Sequence, residues 1–172
     1  VIEDLYINYK SKSILKENIN SELFNDKNIL VIASRPNSFN QKDLVDEFIN
    51  KNNPLIIAVN HVPKNYKVDY CFFSNQKRFD KFKNDFKDLD IIITSNIDSN
   101  NINHRVADYQ KLVVMTTNSN DNVSILLLNL LKNQMVTNVS FAGFDGYSKD
   151  ELNQDSTQEL LNDIKKKYKK NK

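Results

Sequence analysis

Six short runs of apolar, mostly β-branched residues are the feature that most restricts how this chain folds. Except for Ser140 in the last one, the runs are continuously apolar up to a small or polar end, whereas a strand with one face in solvent alternates apolar and polar residues. Strands that are covered on both faces occur in mostly parallel sheets wrapped by helices. The runs are residues 29–33, 55–60, 70–74, 91–95, 112–116 and 139–142.

The segments between these runs have the spacing of helices. Residues 41–51 and 76–87 place their apolar side chains on one stripe, as amphipathic helices do. Residues 121–134 are apolar enough to predict a buried helix, and a Ser-Thr-Gln-Glu capping box at 156–159 opens a final helix. The alternation of strands and helices predicts an α/β fold, a doubly wound, mostly parallel, five- or six-stranded Rossmann-like sheet with helices on both faces.

The N-terminal part of the chain differs from the rest. Residues 1–27 have apolar side chains at near-helical spacing and predict a helical lead-in, and residues 28–172 carry the alternating pattern of the α/β domain. The length of 172 residues is that of one domain. We find no internal repeat and no linker, so a single domain is expected.

The distribution of charge and cysteine limits the class of protein. The net charge is +2, but six lysines lie in the last eight positions, so the body of the chain is acidic. A nucleic-acid-binding domain needs a basic face on its folded part, and we expect no nucleic-acid partner. No apolar stretch is long enough to cross a membrane. Cys71, the only cysteine, has no partner for a disulfide, which favours a reducing, cytoplasmic location.

The residues directly after each predicted strand are the candidate binding residues, because open α/β sheets bind ligands outside the carboxyl ends of their strands. Nearly all of them are Asn, Ser or Thr, which form hydrogen bonds without carrying charge. This composition suits a sugar, a nucleoside or a phosphorylated metabolite, although Asn and Ser also end strands and cap helices for structural reasons. The predicted ligand-binding residues are Ser34, Arg35, Asn37, Ser38, Asn60, Asn75 and Asp145.

Three positions have particular chemistry. The loop after the first strand leads into a helix N-terminus that favours an anion, and Arg35 either adds positive charge there or lies in solvent. Asp145 lies between Gly143 and Gly146, which permit a tight turn, so its carboxylate either faces the ligand or stabilises the turn. His61, after the second strand, is a candidate general acid or base, with a structural role as the alternative.

Several common kinds of site do not fit this sequence. Both glycines follow the last predicted strand, whereas a dinucleotide fingerprint or phosphate loop needs glycines after the first strand. His61 and His104 lie in different loops, so no metal-ligand cluster is expected. No nucleophile elbow of the hydrolase type occurs. We therefore expect no metal and no cofactor in this domain.

Five segments at the predicted strand ends carry a family resemblance. They are residues 28–38, 54–60, 68–79, 93–96 and 142–147, with DYCFFSN at 69–75 and GFDGY at 143–147 as the most specific parts. They resemble the C-terminal domain that follows the barrel in bacterial HMG-CoA lyase-like, 4-hydroxy-2-oxovalerate aldolase-like proteins. They are more distantly similar to sialyltransferase-like and Maf-like or pterin-diphosphokinase-like Rossmann domains.

The resemblance implies a larger protein. The chain begins with Val, and we expect it to be a piece of an aldolase-like polypeptide in which it is covalently linked to the barrel. Any lyase activity would then belong to the barrel. In the more distant relatives, a proline and an asparagine matching Pro36 and Asn60 meet a nucleotide, whereas Arg35 and Asn37 stand where those domains have glycine and serine.

Three hypotheses about function follow. The leading one is a domain that binds a nucleotide sugar or a phosphorylated metabolite and lacks the catalytic barrel. The first alternative is a sugar or diphosphate transferase in which His61 or Asp145 serves as acid or base. The second is a docking or oligomerisation domain for the barrel, which would expose a large apolar patch. A homo-oligomer is left open.

Overall fold

The computed structural model describes residues 15–34, 41–101, 103–113 and 122–144, and in this part six strands form one sheet. The strands are β1 (Asn28–Ile32), β2 (Leu55–Val59), β3 (Tyr70–Phe73), β4 (Asp90–Thr94), β5 (Arg105–Ala107) and β6 (Asn138–Ala142). They lie in the order β5-β4-β3-β2-β1-β6, and every neighbouring pair is parallel. The predicted parallel α/β sheet is confirmed.

The apolar runs lie where a sheet covered on both faces needs them. In β1, β2 and β4 every residue after the first is buried. Alternate side chains of a strand point to opposite faces, so the sheet separates two apolar layers. Val31, Ile57 and Phe72 belong to the layer on the first face, and Ile32 and Phe73 belong to the layer on the second face.

Helices cover both faces of the sheet. They are α1 (Lys42–Asn52), α2 (Gln76–Phe82), α3 (Tyr109–Leu112) and α4 (Val123–Asn133), and a 3-10 turn (Lys83–Asp85) follows α2. α4 packs on the first face, and α1 and α2 pack on the second. This arrangement is the predicted doubly wound one. None of the described helices is long and apolar enough to cross a membrane.

The predicted helices match with small differences. α4 is the buried helix that its apolar sequence predicts, with seven buried residues. Asn122 caps it by accepting a hydrogen bond from the Ser124 N–H at 2.9 Å. The helix predicted at 76–87 is shorter, because its last part tightens into the 3-10 turn before Asp88 adopts a left-handed φ of 61°. The predicted final helix lies outside the described residues.

The order of the strands reverses direction once. β1 to β5 follow one another across the sheet, and α1 and α2, which lie between them in sequence, share the second face. The connection from β5 to β6 carries α4 over the first face and places β6 on the other side of β1. Crossovers of one hand produce this distribution of helices. The reversal lies between β1 and β6, and ligand crevices form at such points.

The fifth strand differs from the prediction. The sequence predicts a strand at residues 112–116, but β5 is formed by Arg105–Ala107, and Leu112 ends α3. Residues 114–116 lie outside the described part. β5 has three residues and begins with a charged one, so it lacks the continuous apolar run by which the other strands are identified.

A side chain from the N-terminal segment closes the edge of β5. The Asn18 Oδ1 accepts a hydrogen bond from the Val106 N–H at 2.5 Å, and its Nδ2 donates to the His104 carbonyl at 3.3 Å. The backbone N–H of Asn18 also donates to the Val106 carbonyl at 2.9 Å. Asn18 therefore takes the place of a neighbouring strand and protects groups that an edge strand leaves unpaired.

The predicted helical lead-in is wrong for the residues that the structure describes. Residues 15–27 contain no helix and pass through turns at 21–26. Gln134, at the end of α4, binds this segment instead, because its Oε1 accepts from the Phe24 N–H at 2.9 Å and its Nε2 donates to the Asn20 carbonyl at 3.1 Å. The buried backbone groups are thus satisfied without helical hydrogen bonds. Residues 1–14 lie outside the described part.

Candidate functional site

Polar residues follow four neighbouring strands at the points where those strands end. Because β1 to β4 are adjacent and parallel, these residues meet along one side of the sheet. Ser34, for example, lies two residues beyond the end of β1, and Asn60 lies directly after the end of β2. We call residues 33–34, 60–61, 74–75 and 95–96 the carboxyl edge.

Asn60 extends the pairing of β2 with β3 past the end of the strands. Its φ of 55° is left-handed, a conformation that Asn tolerates better than most residues. Its backbone N–H donates to the Phe72 carbonyl at 2.8 Å, and its Oδ1 accepts from the Ser74 N–H at 3.2 Å. The side-chain oxygen is therefore used within the protein, whereas Nδ2 has no hydrogen-bond partner among the described residues.

Asn75 is used in the same way. Its Oδ1 accepts from the Arg78 N–H at 3.0 Å and caps α2, and its Nδ2 has no hydrogen-bond partner in the described part of the chain. Asn96 differs, because both ends of its buried amide are engaged: it accepts from the Thr94 hydroxyl and donates to the Ser74 carbonyl at 3.3 Å. Asn96 is thus structural, whereas Asn60 and Asn75 each keep a donor available for a ligand.

His61 is buried, with one ring nitrogen held by the backbone. Its Nδ1 lies 3.0 Å from the Val59 carbonyl. A carbonyl only accepts hydrogen bonds, so Nδ1 carries the hydrogen, and Nε2 of the neutral ring carries the lone pair. Burial lowers the pKa of His61, and the positive charge of Arg78 lowers it further, against the opposing hydrogen bond to Val59. The ring is therefore neutral at pH 7.

β1 and β6 end beside each other at the reversal of strand order. The Ala33 N–H donates to the Ala142 carbonyl at 2.9 Å, and Gly143 turns the chain after β6 with a φ of 74°. Ser34, one of the predicted binding residues, is exposed at this point. The remaining predicted residues lie outside the described part: Arg35, Asn37, Ser38 and Asp145.

Arg78 is a candidate that the sequence analysis does not include. It lies in the first turn of α2, and its positive charge lowers the pKa of His61 in the loop after β2. Its side chain is exposed and forms no ion pair or hydrogen bond with the described residues. The capping residue Asn75 is the signal that could have identified it, because an N-cap fixes the residues of the first turn beside the strand end.

The other reactive side chains lie away from the carboxyl edge. Cys71 is buried in β3, and burial raises the pKa of its thiol to about 12, so the thiol is unreactive. His104 packs against the rings of Phe79 and Phe86, and its Nδ1 lies 2.9 Å from the Ser99 hydroxyl. Among the described residues, no group of three His, Cys, Asp or Glu side chains could hold a metal ion.

Comparison with known proteins finds no matching family model, no matching curated protein and no matching solved structure. The resemblance to the aldolase-associated domain therefore stays a prediction, and it assigns no residue. What bears on function is the geometry of the carboxyl edge.

Proposed function

We propose that this domain binds a nucleotide sugar or a small phosphorylated metabolite at the carboxyl edge. The observation that carries the proposal is how the amide groups are used. The side-chain oxygens of Asn60 and Asn75 accept hydrogen bonds from backbone N–H groups, whereas their Nδ2 donors have no partner among the described residues. Such donors suit a ligand that is rich in acceptors, such as sugar hydroxyls, base carbonyls and phosphate oxygens.

The charge of the carboxyl edge supports the same class of ligand. None of its residues, 33–34, 60–61, 74–75 and 95–96, is acidic, so no carboxylate among them repels a phosphate. Arg78 adds a cation that no described carboxylate neutralises. A hydrogen-bonding rim with a nearby cation suits a ligand that combines hydroxyls with an anionic group.

A transferase is the second candidate, favoured by the state of His61. A neutral imidazole with its lone pair on Nε2 can take a proton from an acceptor hydroxyl, while the hydroxyl oxygen attacks and the leaving group departs. The transferred group would be a sugar or a diphosphate. If the domain is a transferase, His61→Gln should abolish turnover of nucleotide sugars even at concentrations that saturate the variant; if it only binds, the unmodified protein has no turnover to lose.

The docking alternative has less support in the described residues. Their exposed large apolar side chains are Leu44 at 62% and Met135 at 76% exposure. Leu44 lies on α1 over the second face, whereas Met135 follows α4 over the first face, so the two do not form one patch. The link to an aldolase barrel is a separate proposal, because ligand binding at the carboxyl edge does not depend on it.

A thermal-shift screen tests the proposed function. The panel contains nucleosides, nucleotides, nucleotide sugars, sugar phosphates and the corresponding free sugars. A ligand at about 100 times its Kd stabilises the folded state by about 2.7 kcal/mol, which raises the Tm by several degrees. We expect phosphorylated members to raise the Tm. If no member does so, the proposal is wrong.

A substitution at Asn60 that preserves its hydrogen bond to the Ser74 N–H tests whether the ligand binds at the carboxyl edge. Asn60→Asp retains the oxygen that accepts from Ser74 and replaces the Nδ2 donor by a negatively charged acceptor. We expect affinity for the phosphorylated ligand to fall by about tenfold or more. Asn53→Asp is the matched control, because Asn53 is also left-handed, with a φ of 43°, and lies before β2 at the opposite end of that strand. Equal affinity in both variants would contradict the placement.

A further inference from the structure

His61, in the carboxyl edge, and Arg78, three residues beyond it, have no anionic partner among the residues that the structure describes. His61 follows β2, and Arg78 lies at the start of α2, directly after β3, which is the neighbour of β2. We infer that His61 and Arg78 together bind the phosphate group of the ligand, either as a phosphate monoester or as the terminal phosphate of a diphosphate. This inference rests on the proposed function, specifies which residues hold the anionic part of the ligand, and favours the phosphorylated metabolite, because the diphosphate of a nucleotide sugar has no terminal phosphate.

The surroundings of Arg78 leave its charge uncompensated. Its backbone is fixed, since its N–H donates to the Asn75 side chain, but its guanidinium meets no described partner. Asp80, the one carboxylate of α2, contacts Gln76 and Lys83 instead. Three other cations of the described part do form ion pairs: Lys42 with Asp46, Lys83 with Asp80, and Lys111 with Glu17.

His61 is held in an environment that opposes its charge. The ring is 7% exposed, and the Val59 carbonyl fixes its orientation through Nδ1. Burial and the charge of Arg78 both lower the pKa of His61, and Arg78 is the charged group that acts on it among the described residues. In the absence of a ligand, the protein therefore keeps a positive charge beside a ring that stays neutral.

A bound phosphate dianion offsets the effect of Arg78, which disfavours protonation of His61. Its oxygens accept two parallel hydrogen bonds from the planar guanidinium, and its second negative charge favours protonation of His61, whose Nε2 then donates to the phosphate. Two positive groups then face two negative charges. A carboxylate carries a single negative charge, which Arg78 alone neutralises. It therefore raises the pKa of His61 less than a phosphate dianion does. Phosphate is therefore the anion that this pair selects.

The test is an NMR titration of the histidine rings in the full chain at pH 7, with inorganic phosphate, pyrophosphate and acetate as probes. Ring nitrogen shifts report the protonation of each histidine separately. We expect both phosphate probes to move the His61 ring toward the protonated form and acetate to have little effect. His104 is the internal control, because it is also buried but lies against Phe79 and Phe86, and its shifts should stay constant.

Variants of α2 decide whether Arg78 takes part. Arg78→Gln keeps the backbone N–H that Asn75 binds, so the helix cap is retained, and we expect phosphate to bind about tenfold more weakly or worse. Lys77→Gln removes the neighbouring exposed charge and should change the affinity by less than about twofold. Equal losses in the two variants, or an unchanged affinity in Arg78→Gln, would overturn the inference.

The outcomes separate this inference from the proposed function. If a ligand of the screen binds and is weakened by Asn60→Asp but not by Arg78→Gln, the proposed function stands and the phosphate subsite is wrong. If phosphate protonates His61 while no metabolite of the screen binds, the subsite stands and the proposed ligand class is wrong.

Discussion

The loop after β2 and the loop before β5 each contain a histidine that is 7% exposed, and burial lowers the pKa of both rings. In the loop before β5, His104 contacts two phenylalanine rings and a serine hydroxyl. In the loop after β2, His61 is affected by the charge of Arg78, and two amide donors along the same edge have no partner in the described part of the chain. Burial and a lowered pKa therefore do not distinguish a binding histidine from a structural one, whereas the chemistry of the neighbours does.

The largest loss of stability is expected from a substitution among the aromatic rings that pack around His104. Phe79 is 5% exposed and contacts Phe73, Phe86 and His104 edge-on or at a tilt. Phe79→Ala should lower the free energy of unfolding by about 3–5 kcal/mol, because it removes a buried ring and leaves a cavity. Urea denaturation measures this, with the half-buried Phe82→Ala as a milder comparison. A loss below about 1 kcal/mol would show that this region is not tightly packed.

Replacing each histidine separately by glutamine tests whether His61 is a binding residue and His104 a structural one. His104→Gln should lower the free energy of unfolding by about 1–3 kcal/mol through lost packing and a poorly satisfied buried amide. Phosphate affinity should stay the same. His61→Gln should instead weaken phosphate binding by about tenfold. Denaturation and calorimetric titration of both variants give the answer, and a variant of His104 that also loses phosphate binding would break the comparison.

A smaller effect is expected at the edge that Asn18 closes beside His104. Asn18→Ala removes the side-chain hydrogen bonds to the Val106 N–H and the His104 carbonyl. The loss should be about 1–2 kcal/mol in the free energy of unfolding. Asn25→Ala, in the exposed turn that follows, is the control for the loss of an asparagine. If both variants unfold at the same urea concentration, the side chain of Asn18 does not support β5.

The smallest effect is a dependence of stability on pH. Both histidines have a folded-state pKa below the ordinary value of 6.5, so the unfolded chain binds more protons at mildly acid pH. Their contribution is complete above pH 6.5 and is lost as the pH falls through the folded-state pKa of each ring. Urea titrations across this range should show stability falling with acidity. The double variant His61→Gln/His104→Gln should lose most of that slope.

Added phosphate sharpens this last comparison. Because bound phosphate favours the protonated form of His61, it should remove that residue's share of the acid sensitivity and leave the share of His104. A phosphate effect of the same size in His61→Gln would contradict the assignment.

Most of the fold could be predicted from the sequence, because strands buried on both faces must be continuously apolar. That pattern identified β1 to β4. β6 was also predicted, although Ser140 interrupts its apolar residues and none of them is fully buried, and the apolar sequence of α4 predicted a buried helix. The pattern failed at β5, whose three residues begin with Arg105 and depend on Asn18 from a distant part of the chain. It also failed for residues 15–27, where the side chain of Gln134, rather than helical bonding, satisfies the backbone.

The candidate site could be predicted only in part. Strand-end position indicated Asn60, His61 and Asn75, and the structure places them along one edge of the sheet. Which atoms of the amides are engaged depends on the backbone N–H groups of Ser74 and Arg78, and this is a property of the folded loops. The cap at Asn75 places Arg78 in the first turn of α2, but its position near His61 follows only from the pairing of β2 with β3 in the folded sheet.

The strand order also sets how the sheet is completed as the chain leaves the ribosome. β2 to β5 can each join the strand made just before, whereas β6 pairs with β1 across about 110 residues of sequence. Until β6 is synthesised, the outer edge of β1 presents unpaired N–H and carbonyl groups on one of the most apolar strands of the protein. Such an edge is a template for pairing with other chains. Once β6 has paired, β1 lies inside the sheet, and the outer position passes to a strand of which no residue is fully buried.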